Sequence, residues 1–220
     1  MFENRKLIRG LVKKVSRAER YALDAFVNGR VEQEPAFTDR LLSSMEHEIN
    51  GMNIGGVTWT AKTLTDRGPK SQESVFGADF MAVFHASLPG FEVTKGFLAQ
   101  SKILEPGQYF SSVDARRLRE QCEKMLAHSP ASYLFVYSQQ SGILVVPAVD
   151  VVAARDCNPH ELNALSIGGF YEKHFECFIG DRAINSSSRA GLIELRAKFD
   201  ARKLFLLSGK KGILGTGLDG

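Results

Sequence analysis

The chain predicts an α/β fold, a mixed sheet flanked by helices, and three observations carry that expectation. Helical periodicity in the first fifty residues gives way near Gly55 to β-branched and aromatic runs. A further amphipathic helix follows Pro106-Gly107, and two more short apolar runs follow that helix. The resulting order, a helix, three strands, a helix and two strands, suits a sheet that buries both faces under helices.

Taken in order, residues 5–28 place Ile8, Leu11, Val12, Val15, Ala22 and Phe26 at helical spacing opposite a basic face, and Asn28-Gly29 ends that helix. Residues 38–52 predict a second helix, with Thr38 as N-cap and Phe37, Leu41, Leu42, Met45, Ile49 and Met52 as its buried stripe. Strands are expected at 57–60, 76–86 and 91–104, the last two joined by the turn Leu88-Pro89-Gly90, with residues 57–104 forming three neighbouring antiparallel strands. Residues 112–127 read as a helix capped by Ser111 or Ser112, with Val113, Leu118, Cys122, Met125 and Leu126 inward. Strands at 132–137 and 143–146 flank a turn. Beyond residue 155 the pattern weakens to a helix at 187–200 and a strand at 204–207.

Composition bounds the function. With 220 residues, 44% of them hydrophobic, the chain can build a core without staples. The three cysteines, Cys122, Cys157 and Cys177, are odd in number and far apart, so they read as reduced thiols in a cytoplasmic protein. No apolar run reaches membrane-spanning length, and the basic start has no continuous apolar segment of the secretory kind. The net charge of +3 diagnoses nothing alone, but its distribution is uneven. Arg5, Arg9 and Lys13 mark a basic face on the first helix, and Arg196, Lys198, Arg202, Lys203, Lys210 and Lys211 crowd the end. Either cluster can meet phosphate or simply face solvent.

The residues that carry chemistry are Gly77-Ala78-Asp79-Phe80 and, some twenty positions on, Gln100-Ser101-Lys102. Gln100 and Lys102 lie two apart on a strand, so both leave the same face. A hairpin of residues 76–86 and 95–104 puts Asp79 beside them at one strand end. A carboxylate and an amide oxygen there suit a hard cation such as Mg²⁺, and a lysine beside them suits orientation of water and stabilisation of charge on a phosphate. Without such a site, Asp79 is a turn cap and Lys102 a solvated side chain. Gln121, on the helix of residues 112–127, is a further phosphate-contact candidate, as are Tyr137, Ser138 and Gln139 at a strand end. The five histidines show no ligand spacing, and Ser208-Gly209-Lys210-Lys211-Gly212 lacks the pattern of a phosphate-binding loop.

Asp79, Gln100 and Lys102 resemble the motif of the PD-(D/E)xK nuclease superfamily, in particular its Mrr-like restriction and anti-phage-defence members with glutamine before the lysine. The resemblance implies a restriction-endonuclease-like core (α-β-β-β-α-β) at residues 36–154. An N-terminal amphipathic helix and linker (1–35) precede it, and an α/β C-terminal extension of the same domain (155–220) follows. It implies a metal-dependent endonuclease acting on DNA, with Mg²⁺ or Mn²⁺ held by Asp79, Gln100 and an acid on the first core helix. Glu48 is preferred for that acid, nearer the buried stripe than Glu46, and Glu73 is the third candidate. Ala78 stands where the family name has proline. The neutral Gln100 removes one negative charge and lowers the expected metal affinity. A homodimer or regulatory partner is expected, because an unrestrained nuclease endangers its host's DNA. Two other readings stay open: a nuclease-fold module that binds nucleic acid or a protein without turnover, and a nuclease that prefers RNA.

Overall fold

The computed structural model describes residues 4–65, 78–154 and 158–211. Two helices open the chain, α1 (Arg5–Val27) and α2 (Glu34–Ile49), followed by strands β1 (Met52–Ile54), β2 (Val57–Thr65), β3 (Ala78–Leu88) and β4 (Phe91–Ile103). Then come α3 (Ser112–His128), β5 (Ser132–Ser138), β6 (Gly142–Pro147) and α4 (Ala148–Ala153). They are followed by β7 (Leu165–Ser166), α5 (Ile167–Phe175), α6 (Arg189–Lys198) and β8 (Ala201–Lys211).

Among the described residues eight strands form one open mixed sheet in the order β1-β2-β8-β3-β4-β5-β6-β7. Its faces are dressed differently. Phe80, Phe84, Phe97, Phe135 and Phe205 pack under α1, α2 and α5, whereas Met81, Val83, Leu98, Leu134 and Leu204 pack under α3, α4 and α6. β3 contributes to both layers by simple alternation. A strand covered on both sides is apolar at successive positions, which is why residues 80–84 read as one hydrophobic run.

The expected trio of neighbouring strands over residues 57–104 is corrected. β8 lies between β2 and β3, antiparallel to the first and parallel to the second. The run Leu204-Phe205-Leu206-Leu207 explains this placement, since such a run needs cover on both faces and an interior strand position supplies it. At one point the fit demands a glycine: a Cβ on Gly209 would stand 2.5 Å from the Trp59 ring on β2.

α2 also departs from expectation. It starts four residues early, with Pro35 in its first turn, where a missing N–H costs nothing. Thr38 is therefore not the N-cap but sits inside the helix, where its hydroxyl donates to the Glu34 carbonyl at 3.0 Å. Met52 leaves the helix for β1 and is partly exposed. On α3, Ser111 caps through the amide of Asp114, Leu118, Cys122 and Met125 face inward as expected, and Val113 is exposed instead of buried. Cys122 and Cys177 form no disulfide among the described residues; Cys157 lies outside them. Among the described residues no helix is long and apolar enough to cross a membrane.

Candidate active site

β3 and β4 form an antiparallel pair whose register ends with Phe80 opposite Ala99, so Asp79 and Gln100 are the residues next beyond that end. The contact is direct. The Gln100 side-chain amide donates to Asp79 Oδ2 at 2.8 Å. The same oxygen accepts the Ser101 backbone N–H at 2.9 Å and the Ser101 hydroxyl at 2.6 Å. Among the described residues Oδ1 accepts no hydrogen bond. Gln100 is 2% exposed, and its carbonyl oxygen Oε1 is buried with no partner among the described residues. An orphaned oxygen of this kind costs about 1–3 kcal/mol unless something meets it.

The acid that joins Asp79 is Glu34, which sequence reasoning did not consider. Lys102 Nζ pairs with Glu34 Oε2 at 3.0 Å, and the Ile103 N–H donates to Glu34 Oε1 at 3.2 Å. Ser101 and Ile103 are alternate residues, so their N–H groups leave the same edge of β4 about 7 Å apart. Asp79 and Glu34 each cap one of them. Two carboxylates thus accept from successive N–H groups on one edge of β4 where it runs past β3. The local signal for Glu34 was Pro35: proline in a first turn starts the helix at residue 34 and puts an acid at its N-terminal, electropositive end.

Glu48 is not part of this cluster. It lies fourteen residues further along α2, about 21 Å at helical rise, and its carboxylate is held by Lys14 at 3.1 Å and Arg17 at 3.6 Å. Its burial therefore reflects an ion pair joining α1 to α2. Glu46 is equally engaged elsewhere, accepting the Thr63 N–H at 2.9 Å. Glu73 lies outside the described residues. Gln121 is half-buried on α3 and takes no part in the hydrogen bonds of the cluster, while Arg5, Arg9 and Lys13 are exposed along α1. Tyr137 and Ser138 are fully buried and do not present a nucleic-acid surface; Ser138 instead donates to Glu105 at 2.6 Å.

Behind the carboxylates runs a buried chain of hydroxyls. Ser101 points to the face opposite Gln100, toward α2, where Thr38 Oγ1 lies 3.2 Å from its hydroxyl and 3.0 Å from Tyr137 Oη. Ser101 donates to Asp79 and Thr38 donates to Ser101, so Tyr137 donates to Thr38. The Thr38 proton is shared with the Glu34 carbonyl, which ties both acidic residues to one network. Burial raises the Tyr137 phenol well above its ordinary value, the Thr38 hydrogen bond opposes this, and the charge of Asp79 adds to it. The phenol is thereby fixed as a donor.

Among the described residues no three His, Cys, Asp or Glu side chains gather as a metal centre. The oxygen set here is two carboxylates and one amide, and the orphaned Gln100 Oε1 fits a hard cation that takes carboxylate and carbonyl oxygens together with water. No protein-family model, curated protein or solved structure matches the chain.

Proposed function

We propose that the protein is a metal-dependent nuclease hydrolysing phosphodiester bonds of DNA. The observation that carries this reading is the convergence of Asp79, Glu34, Gln100 and Lys102 at one end of the β3–β4 pair, with the buried Gln100 Oε1 left unpartnered. Asp79, Glu34 and Gln100 would hold Mg²⁺ or Mn²⁺, and the cation when bound supplies positive charge beside the phosphate. The chain's own groups do the rest. Gln100 and Ser101 hold Asp79 in one orientation. Lys102 directs the attacking water and stabilises charge on the phosphoryl oxygens. The new P–O bond forms to water, and the bond to the leaving sugar oxygen breaks.

A role in defence against foreign DNA accords with the QxK resemblance, and a homodimer or partner would restrain the activity. The Glu34–Lys102 ion pair, which leaves the lysine less free to act on a phosphate, favours a second reading, a nuclease-fold module that binds nucleic acid or a protein without turnover. One assay separates them: nicking of supercoiled plasmid, linear DNA and RNA with Mg²⁺, Mn²⁺ or EDTA. The expected outcome is metal-dependent cutting of DNA, lost on Asp79→Ala and reduced on the order of 10²–10³-fold by Lys102→Ala, with each variant still showing a cooperative melting transition. Parent-like cutting by both variants would remove the proposed site, and a parent that cuts neither DNA nor RNA would leave the binding module.

A further inference from the structure

We infer that the cleft between the second half of α1 and the outer face of α2 binds a nucleotide-sized phosphate ester. The cleft has a volume of about 500 Å³, within the roughly 300–1,000 Å³ of small-ligand sites. It is built from three segments. α1 contributes Tyr21 and Asp24, one turn apart, and the α1–α2 connection contributes Arg30. α2 contributes Arg40, Ser44 and His47, which recur at helical spacing on the face turned away from the sheet.

The chemistry of the lining is specific. Lys14, Arg17, Lys102 and Lys203 all form ion pairs. Among the described residues Arg30 and Arg40 form none, although Asp24 lines the same cleft. Two guanidiniums and a serine hydroxyl supply the kind of donors that phosphate oxygens accept. Tyr21 is 50% exposed, so its ring offers a stacking surface for a base, and Asp24 is an acceptor for sugar hydroxyls. Asp24 also weakens the site for a bare anion, because it removes part of the positive charge without losing any donor. Ala25, 3% exposed, gives the cleft an apolar floor.

Phosphate esters reach such a cleft from two sources, a free mononucleotide or the phosphorylated end of a nucleic-acid strand. The test is calorimetric titration in EDTA, where no metal-dependent hydrolysis runs, so its outcome does not depend on the nuclease reading. The probes are AMP, adenosine, inorganic phosphate and a 5′-phosphorylated oligonucleotide. Saturable AMP binding is expected, with adenosine and inorganic phosphate each at least tenfold weaker. Arg30→Ala/Arg40→Ala should weaken AMP at least tenfold, and the milder Arg40→Gln should weaken it measurably should the double variant lose its fold. An oligonucleotide that binds more than tenfold tighter than AMP, and loses that advantage in the double variant, identifies a strand end; equal or weaker binding identifies the free nucleotide. No saturable AMP binding, or AMP binding that both variants leave unchanged, overturns the inference.

Discussion

At the scale of single residues, the candidate site rests on groups behind its carboxylates. Thr38 is the clearest. Its hydroxyl links Tyr137 to Ser101, whose own hydroxyl donates to Asp79 Oδ2. Thr38→Val keeps the shape but removes the Thr38 partner of the buried Tyr137 hydroxyl, at a cost of about 1–3 kcal/mol in stability. A positioning role predicts more: a shift of the Mg²⁺ midpoint for cleavage to higher concentration, reversed by Thr38→Ser. A valine variant that is less stable yet has the parent's Mg²⁺ midpoint would make the chain purely structural. Lys95 poses a separate single-residue question. It is 2% exposed, and its ammonium donates to the carbonyls of His174 and Ile179 at the end of α5. Burial pushes it down to about 8, with Arg182 acting the same way and Cys177 opposing. The neighbouring His174 is held neutral, first by its own burial and then by the charge of Lys95. The unfolded chain keeps the Lys95 proton up to about 10.5, so between about 8 and 10.5 it binds one proton more than the folded protein and stability rises with pH. Unfolding by urea at pH 7.5 and 10 should show this gain, on the order of 2 kcal/mol, in the parent relative to Lys95→Met. A parent-to-variant difference that stays constant between the two pH values would contradict it.

At the scale of elements, α1 and α2 divide the work between fold and surface. The inner face of α1 packs on α2, and Lys14 and Arg17 spend their charges on buried Glu48. Arg5, Arg9 and Lys13 remain exposed on the same helix. Replacing these three with alanine should leave the melting temperature within a degree or two, because none is in the core. If this face meets the DNA backbone, the log–log salt slope of binding should fall by roughly 2–3. An unchanged slope would assign the face to solvent or to a protein partner.

For the whole molecule, β8 is the element that makes the sheet one structure. It is hydrogen-bonded along its length to β2 on one side and β3 on the other, so removing it separates the β1–β2 pair from the strands that carry the site. Truncation after residue 199 should expose two long apolar strand edges and yield aggregated protein without a cooperative thermal transition. A soluble, cooperatively melting fragment of residues 1–199 would show instead that the core stands without its last strand.

The local elements were legible because they rest on short-range periodicity. The stripe of α1, the alternation that sends Gln100 and Lys102 to one face, the β3–β4 hairpin that sets Asp79 beside Gln100, and the Ser111 cap all follow from residues a few positions apart. Even Glu34 carried a local sign in Pro35, outweighed by the capping chemistry of Thr38. What only the tertiary structure decided are the choices between chemically equivalent partners far apart in the chain. β8 takes its place between β2 and β3 because an interior slot buries both faces of Leu204–Leu207, and no pattern within that run names its neighbours. Glu34 rather than Glu48 joins Asp79 because α2 lays its first turn, not its last, against the overhanging end of β4. A helical wheel gives the face of a residue but not the end of the helix that meets the sheet, and here that end determines which carboxylate lies beside Asp79.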